Sequence, residues 1–383
     1  MAGTTSHSTV HAEPIRASGL LGFLRDFHNK TILFRVGDWI FVTYGLLAGI
    51  AFFFGFTTTV WYLAMLGQDP ALIAAVCLFF VIPSILMVSR VTSILLEWRE
   101  LFRRPLQTLL KPGYMLHGGI FGGMMAMLGY SIASGTPLPA LLDAMGFAMP
   151  LGEALCRLGC FVYGCCWGKP TESRFGVRYT NPHSKVIRFQ PHLQGVKIHP
   201  TQIYALTAHL IQFTIFYALL PYKAFDGMFA ALYLTTHPMI RIVLERFRQD
   251  DRGKLGKLTH SNVYSFVMFG LGLLVLAFGL SSAGTNLPIN VHFRFIHTIT
   301  SGTTLLYCVL TFFAAAAAFG VHYKSVGSWL SKPSNGVTAQ VDELSMGAAG
   351  RDDGRDDGRD DGRDDGRHDD SCDSCDLHEH PHR

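Results

Sequence analysis

The stretch "LPALLDAMGFAMPLGEALCRLGCFVYGCCWGKP" covers residues 138–170 and decides how the rest is read. Its first part is a run of apolar residues long enough to cross a bilayer as a helix, which takes about twenty residues. It ends in four thiols, Cys156, Cys160, Cys165 and Cys166, with Arg157 among them. A charged residue inside such a run is costly and marks a site until shown otherwise.

The same kind of run recurs along the chain of 383 residues, which is 49% hydrophobic and only 16% charged. Eight spans are expected, at about 39–64, 71–95, 114–133, 138–164, 200–221, 226–246, 259–280 and 303–321. The fold class is therefore an all-α polytopic membrane bundle of seven to eight transmembrane helices. The net charge of +4 reflects basic residues flanking the spans and calls for no nucleic-acid partner. The N-terminus lacks a basic–apolar–cleavage pattern, so no signal peptide is expected. "SGLLGFLRDFHNKTILF" (18–34) reads as an amphipathic segment lying on the membrane surface. After Leu330 the apolar content collapses into the repeat "RDDGRDDGRDDGRDDGRHDD", which cannot bury a core and is expected to be disordered. The final Cys372, Cys375, His378, His380 and His382 either hold a soft metal or, on the plainer reading, belong to a solvated tail.

Within the spans, His117 opens a glycine-rich run with Gly118, Gly119, Gly122 and Gly123, spacings that let another helix or a lipid chain approach closely. Glu153 and Arg157 stand four apart on one helical face, the spacing of an ion pair. His237, Arg241 and Glu245 follow one another at four-residue steps, and Arg90 follows the second span. Arginine suits phosphate because its planar fork binds oxygens bidentately and stays charged when desolvated. Arg157 and Arg241 facing a bundle interior would suit an anionic phospholipid headgroup; interhelical ion pairs are the equal alternative. Of the eight cysteines, Cys77 and Cys308 lie mid-span as packing residues.

Six segments together resemble the prolipoprotein diacylglyceryl transferase family. They are "TILFRVGDWIFVTYGL" (31–46), "MVSRVTSIL" (87–95), "LHGGIFGG" (116–123), "PLGEALCRLGCFVYGCCWGKP" (150–170), "HPTQIY" (199–204) and "HPMIRIVLERFRQD" (237–250), in the family's order. The resemblance implies transfer of the diacylglyceryl group of phosphatidylglycerol to the lipobox cysteine of a prolipoprotein, with glycerol phosphate leaving. No metal or soluble cofactor is implied. The partners implied are phosphatidylglycerol, the prolipoprotein signal peptide and the membrane. The implied catalytic residues are His117, Arg157, Arg241 and Tyr44. The implied substrate-binding residues are Arg90, Gly118, Gly119, His237, Glu245 and Arg248. Trp167 and Gly168 fit the end of the signature.

The chain departs from the family where signature asparagines become Cys160 and Tyr163, the glutamate becomes Cys165, a glycine becomes Cys156 and a tyrosine becomes His237. Thiols thus occupy a corner of the polar shell. Three readings stay open: small buried thiols with one disulfide, Cys160 with Cys165 or Cys166; a soft-metal site completed by His183, His192 or His199; or a reactive thiolate beside Arg157. With that shell rewritten, a non-transferring paralogue that binds phospholipid or does thiol redox work is the alternative function. The expected organisation is an arm (1–37), a transferase-like membrane domain (38–280), an extra helix with linker (281–330) and a charged tail (331–383). Counting Lys and Arg in the loops puts the N-terminus in the cytoplasm. The resemblance instead puts that face outside a bacterial inner membrane, with the active site toward it.

Overall fold

The computed structural model describes residues 26–96, 98–105, 116–249, 254–255, 258–281 and 286–326. The amphipathic stretch before residue 26, the RDDG repeat and the terminal Cys/His group lie outside the described residues, as does the whole of a second unit, Ser334–Arg383.

The strands are β1 (Ile32–Val36), β2 (Trp39–Val42), β3 (Val177–Arg178), β4 (Lys197–Ile198), β5 (Lys254–Leu255), β6 (Leu258–Thr259) and β7 (Val321–Tyr323). The helices are α1 (Thr43–Met65), α2 (Pro70–Val76), α3 (Ile82–Leu96), α4 (Trp98–Arg103), α5 (Leu116–Ser134), α6 (Leu138–Tyr163), α7 (Lys185–Phe189), α8 (Thr201–Leu219), α9 (Met228–Glu245), α10 (His260–Ser281), α11 (Phe295–Thr300) and α12 (Gly302–Gly320). A π-helical turn, Cys77–Val81, joins α2 to α3.

Each of the eight expected spans coincides with helix. Six of them are apolar and long enough to cross a membrane: Thr43–Met65, Pro70–Leu95, Leu138–Tyr163, Thr201–Tyr222, Asn262–Ser281 and Gly302–Gly320. Large apolar side chains such as Phe79, Met87, Phe121, Ile132, Leu274, Phe278 and Phe313 point outward, the arrangement suited to a hydrocarbon solvent. The protein is a multi-pass membrane protein. One boundary differs from the sequence reading: residues 39–42 are strand, not the start of the first span. β2 pairs antiparallel with β1 on one side and with β7 on the other.

α6 is the centre of the bundle. α1, α8 and α9 pack along it, and α12 packs along α1. Its lower half is held by an aromatic core in which Phe147 meets Tyr62 and Phe229 at ring separations of 5.4 and 5.3 Å. At Gly146 a Cβ would lie 2.6 Å from the carbonyl oxygen of Phe229, so only glycine lets α6 and α9 approach this closely. Buried Asp143 completes the contact. Its carboxylate accepts the amides of Gly227 (2.8 Å) and Ala230 (3.1 Å), which belong to the first turn of α9 and have no intrahelical partner.

Candidate active site

Beyond Pro150, which lies inside the helix, α6 turns one polar face inward: Glu153, Cys156, Arg157 and Cys160, at helical spacings of three and four. The Glu153 carboxylate is shared by α8 and α9. Tyr233 donates its hydroxyl to one oxygen at 2.6 Å. His209 Nε2 and His237 Nδ1 stand 3.1 and 3.0 Å from the other. The two imidazoles stack with centroids 5.4 Å apart. Behind them, His209 Nδ1 lies 3.0 Å from Gln212 Oε1, and Gln212 donates to Thr236. The pairing of Glu153 with Arg157 that their spacing predicts is therefore not what is found; α8 and α9 take the carboxylate. Arg157 Nε is buried without a hydrogen-bond partner among the described residues.

The register of α6 and α9 then places the second arginine. Asp143 is level with Gly227 and Ala230, and Glu153 with Tyr233 and His237, so the two helices run parallel. Arg157 follows Glu153 by four residues on α6, and Arg241 follows His237 by four residues on α9. Arg241 Nη2 lies 3.6 Å from Glu245 on its own helix.

α6 stops at Gly164, whose φ of +72° is the left-handed geometry of a helix C-terminus. The amides of Gly164 and Cys165 both bond the Cys160 carbonyl, at 3.0 and 3.2 Å, folding the chain back over Cys160. Cys166 also has positive φ, +61°. Gln202 and Thr201 hold the Cys165 and Cys166 carbonyls, each at 2.6 Å. Residues 167–171 then run between two other segments. Lys169 bonds the Phe247 carbonyl (2.8 Å), Gln249 bonds that of Trp167 (3.2 Å), and His199 bonds that of Lys169 (3.0 Å). Gly168 pairs with Arg248, and a Cβ there would meet the His199 carbonyl oxygen at 2.5 Å. Three separate motifs are thus knotted at one end of α6.

The chain matches the model of the family described as prolipoprotein diacylglyceryl transferase over residues 31–278, well over half its length. The chain belongs to that family. It is 30% identical over 166 residues to the phosphatidylglycerol–prolipoprotein diacylglyceryl transferase of Clostridium tetani, covering 43% of this chain and 63% of that protein. It is 27% identical over 245 residues to the protein of that name from Dehalococcoides mccartyi (63% of this chain, 90% of the relative). The corresponding figures for Acaryochloris marina are 28% over 250 residues, 64% and 88%.

The remaining residues that resemble the transferase family's site are spread more widely. Tyr44 packs on Gly159 and points its hydroxyl at Cys156 Sγ, 3.8 Å away. The Tyr163 hydroxyl accepts from Arg188 at 3.0 Å, and its ring lies 5.5 Å from that of Tyr44. Gly118 and Gly122 serve close packing of α5 on α3, since a Cβ would meet Thr92 at 2.5 Å and the Ser84 carbonyl at 2.6 Å; Gly119 faces Ile85. Arg90 reaches Ser93 on its own helix. His117 lies in the first turn of α5, and its side chain is outside the described residues.

All six described cysteines are free, so no disulfide joins Cys160 to Cys165 or Cys166. The three sulfurs lie within 4.8 Å of one another, and no loop histidine belongs to that group. His199 instead contacts the Tyr204 hydroxyl at 3.1 Å. His183, in the loop before α7, is held below its ordinary pKa by burial, with Arg35 and Arg188 adding to the effect. His209, Gln212 and Tyr233 were not singled out from sequence. The signal available for His209 was its place inside an apolar span.

Proposed function

We propose that the chain transfers the diacylglyceryl group of phosphatidylglycerol to the thiol of a lipobox cysteine in a prolipoprotein. It would act in a bacterial inner membrane with the site toward the outer face. The observation that carries the reading is the contact of Glu153 on α6 with His237 and Tyr233 on α9, inside a membrane domain, because Arg157 and Arg241 each follow that contact by four residues. In the reaction a carbon–sulfur bond forms at the glycerol carbon of the lipid and the carbon–oxygen bond to phosphate breaks. The thiol proton passes to a base, for which His117 is the family position. The departing phosphate gains a negative charge as that bond breaks. Two fixed guanidinium groups stabilise charge where it develops, and need no reorganisation to do so. Arg157 has donor capacity left over for this role, since its Nε has no hydrogen-bond partner among the described residues. Glu153, tied to His209, His237 and Tyr233, fixes the side chains of α8 and α9 one turn before Arg157.

The test is complementation of a strain depleted of its own transferase, with the wild-type chain beside the Arg157→Ala and Arg241→Lys variants. Lipidation of a reporter prolipoprotein is expected from the wild type. Arg157→Ala should lower it by about two to three powers of ten, the scale of losing one transition-state donor. Arg241→Lys should recover little, because a point charge does not replace the bidentate fork. A stably inserted wild-type chain that lipidates nothing, yet still binds phosphatidylglycerol, would favour the non-transferring paralogue.

A further inference from the structure

We propose that Cys160, Cys165 and Cys166 bind one thiophilic metal ion, of the copper(I), zinc(II) or cadmium(II) class, with Cys156 as an adjoining fourth thiol. The inference does not rest on the transferase reading.

The first ground is geometry. The three sulfurs lie within 4.8 Å of one another. Around a metal with metal–sulfur bonds of about 2.3 Å, sulfurs sit roughly 4 Å apart in a trigonal or tetrahedral arrangement. Shifts of less than about an ångström, within the reach of cysteine rotamers, close the set. Cys156 stands one turn before Cys160 on the same face of α6.

The second ground is that the scaffold is built before any ion arrives. Cys160 sits on the last turn of α6, and the turn at Gly164 carries Cys165 and Cys166 back over it. The carbonyls of both are held by the side chains of Gln202 and Thr201 at the start of α8. A loop pinned at consecutive carbonyls holds its side chains in place without a metal, which is what a ligand set requires.

The third ground is donor chemistry. The group contains three thiols and neither an imidazole nor a carboxylate, and such a set selects soft ions. A disulfide would leave one of the three sulfurs unpaired, and all are free. Metal binding replaces each S–H proton, releasing it to solvent, and leaves a thiolate cluster of net negative charge. Arg157, three residues before Cys160 on the same helix, supplies an adjacent positive charge. The family resemblance implies no metal, so these substitutions add a capacity instead of merely deleting polar groups.

The experiment uses the full chain, reduced, in detergent, with Cys372→Ser and Cys375→Ser introduced to silence the terminal thiols. Cadmium(II) alone is titrated while the ultraviolet thiolate-to-cadmium charge-transfer band is followed. One equivalent is expected to bind. The band should be lost in Cys160→Ser, Cys165→Ser and Cys166→Ser, and kept in Cys77→Ser. Competition with zinc(II) and copper(I) then ranks the ions. Because a serine variant can fail to insert, the same cadmium-loaded chain is also alkylated and mapped by mass spectrometry. Protection of Cys160, Cys165 and Cys166 supports the site. Absence of the band, its survival in two of the three variants, or unchanged alkylation of the three thiols would overturn it.

Discussion

Asp143 and Glu153 lie ten residues apart on the same helix, both turned into the bundle, and they are satisfied in opposite ways. Asp143 is held by backbone amides at the start of α9, with the Tyr62 hydroxyl at 3.4 Å. Glu153 is held entirely by side chains, two imidazoles and a phenol from α8 and α9. A carboxylate bound to backbone amides fixes where a helix begins. A carboxylate bound to titratable side chains fixes how those side chains point, and can release them. On the proposed function the lower end of α6 is architecture and the upper end is apparatus, although a count of buried acids would treat them alike.

The comparison makes its largest demand at Asp143. Asp143→Ala leaves two buried amides of α9 without acceptors and removes a buried charge. Its expected loss is about 2–6 kcal/mol, at about 1–3 kcal/mol for each buried donor left unsatisfied. Thermal unfolding in detergent should show it, and an unchanged midpoint would show that α9 is held by something else. Glu153→Gln is the counterpart. It keeps an acceptor for Tyr233 and removes the charge beside His209 and His237. Lipid transfer should fall by about ten- to a hundredfold, the equivalent of one charge-assisted contact of about 1.5–3 kcal/mol. The unfolding midpoint should move less than in Asp143→Ala; equal losses of stability would collapse the distinction.

The smallest effect lies away from both carboxylates, at His183. Burial holds its pKa down in the folded chain, so the unfolded chain binds the proton more tightly. Stability is complete above the ordinary histidine value of about 6.5 and declines as pH falls through it. His183→Asn should flatten the unfolding midpoint between about pH 6.5 and 5. His322, also lowered by burial and by Arg188, should leave a residual slope of the same sign. A slope unchanged by the substitution would remove His183 from the account.

The spans were legible because each carries its own signal, about twenty apolar residues that no soluble element needs in a row. The strand at Trp39–Val42 was not, because "WIFV" continues the apolar run of α1 and its second partner, β7, lies some 280 residues further along. Motif order singled out Arg157 and Arg241, while the contact of Glu153 with His237 that precedes both needed the register of α6 on α9. The expected Glu153–Arg157 pair failed on magnitude. An exposed contact at that spacing contributes about 0.2–0.5 kcal/mol, and three buried polar contacts from neighbouring helices outweigh it. The thiol group was visible as four cysteines, but its convergence depends on the left-handed turn at Gly164 and on Gln202 and Thr201 reaching over from α8.

The small sheet has a consequence for parity. β2 runs straight into α1, and β7 follows straight out of α12. Because β2 and β7 are hydrogen-bonded neighbours, the chain enters the bundle and leaves it at the same level. A path that starts and finishes on one side of a barrier crosses it an even number of times. Whichever way the protein is inserted, Thr31 and Val326 therefore share a compartment, and an odd count of crossings between them is forbidden by three pairs of strand residues.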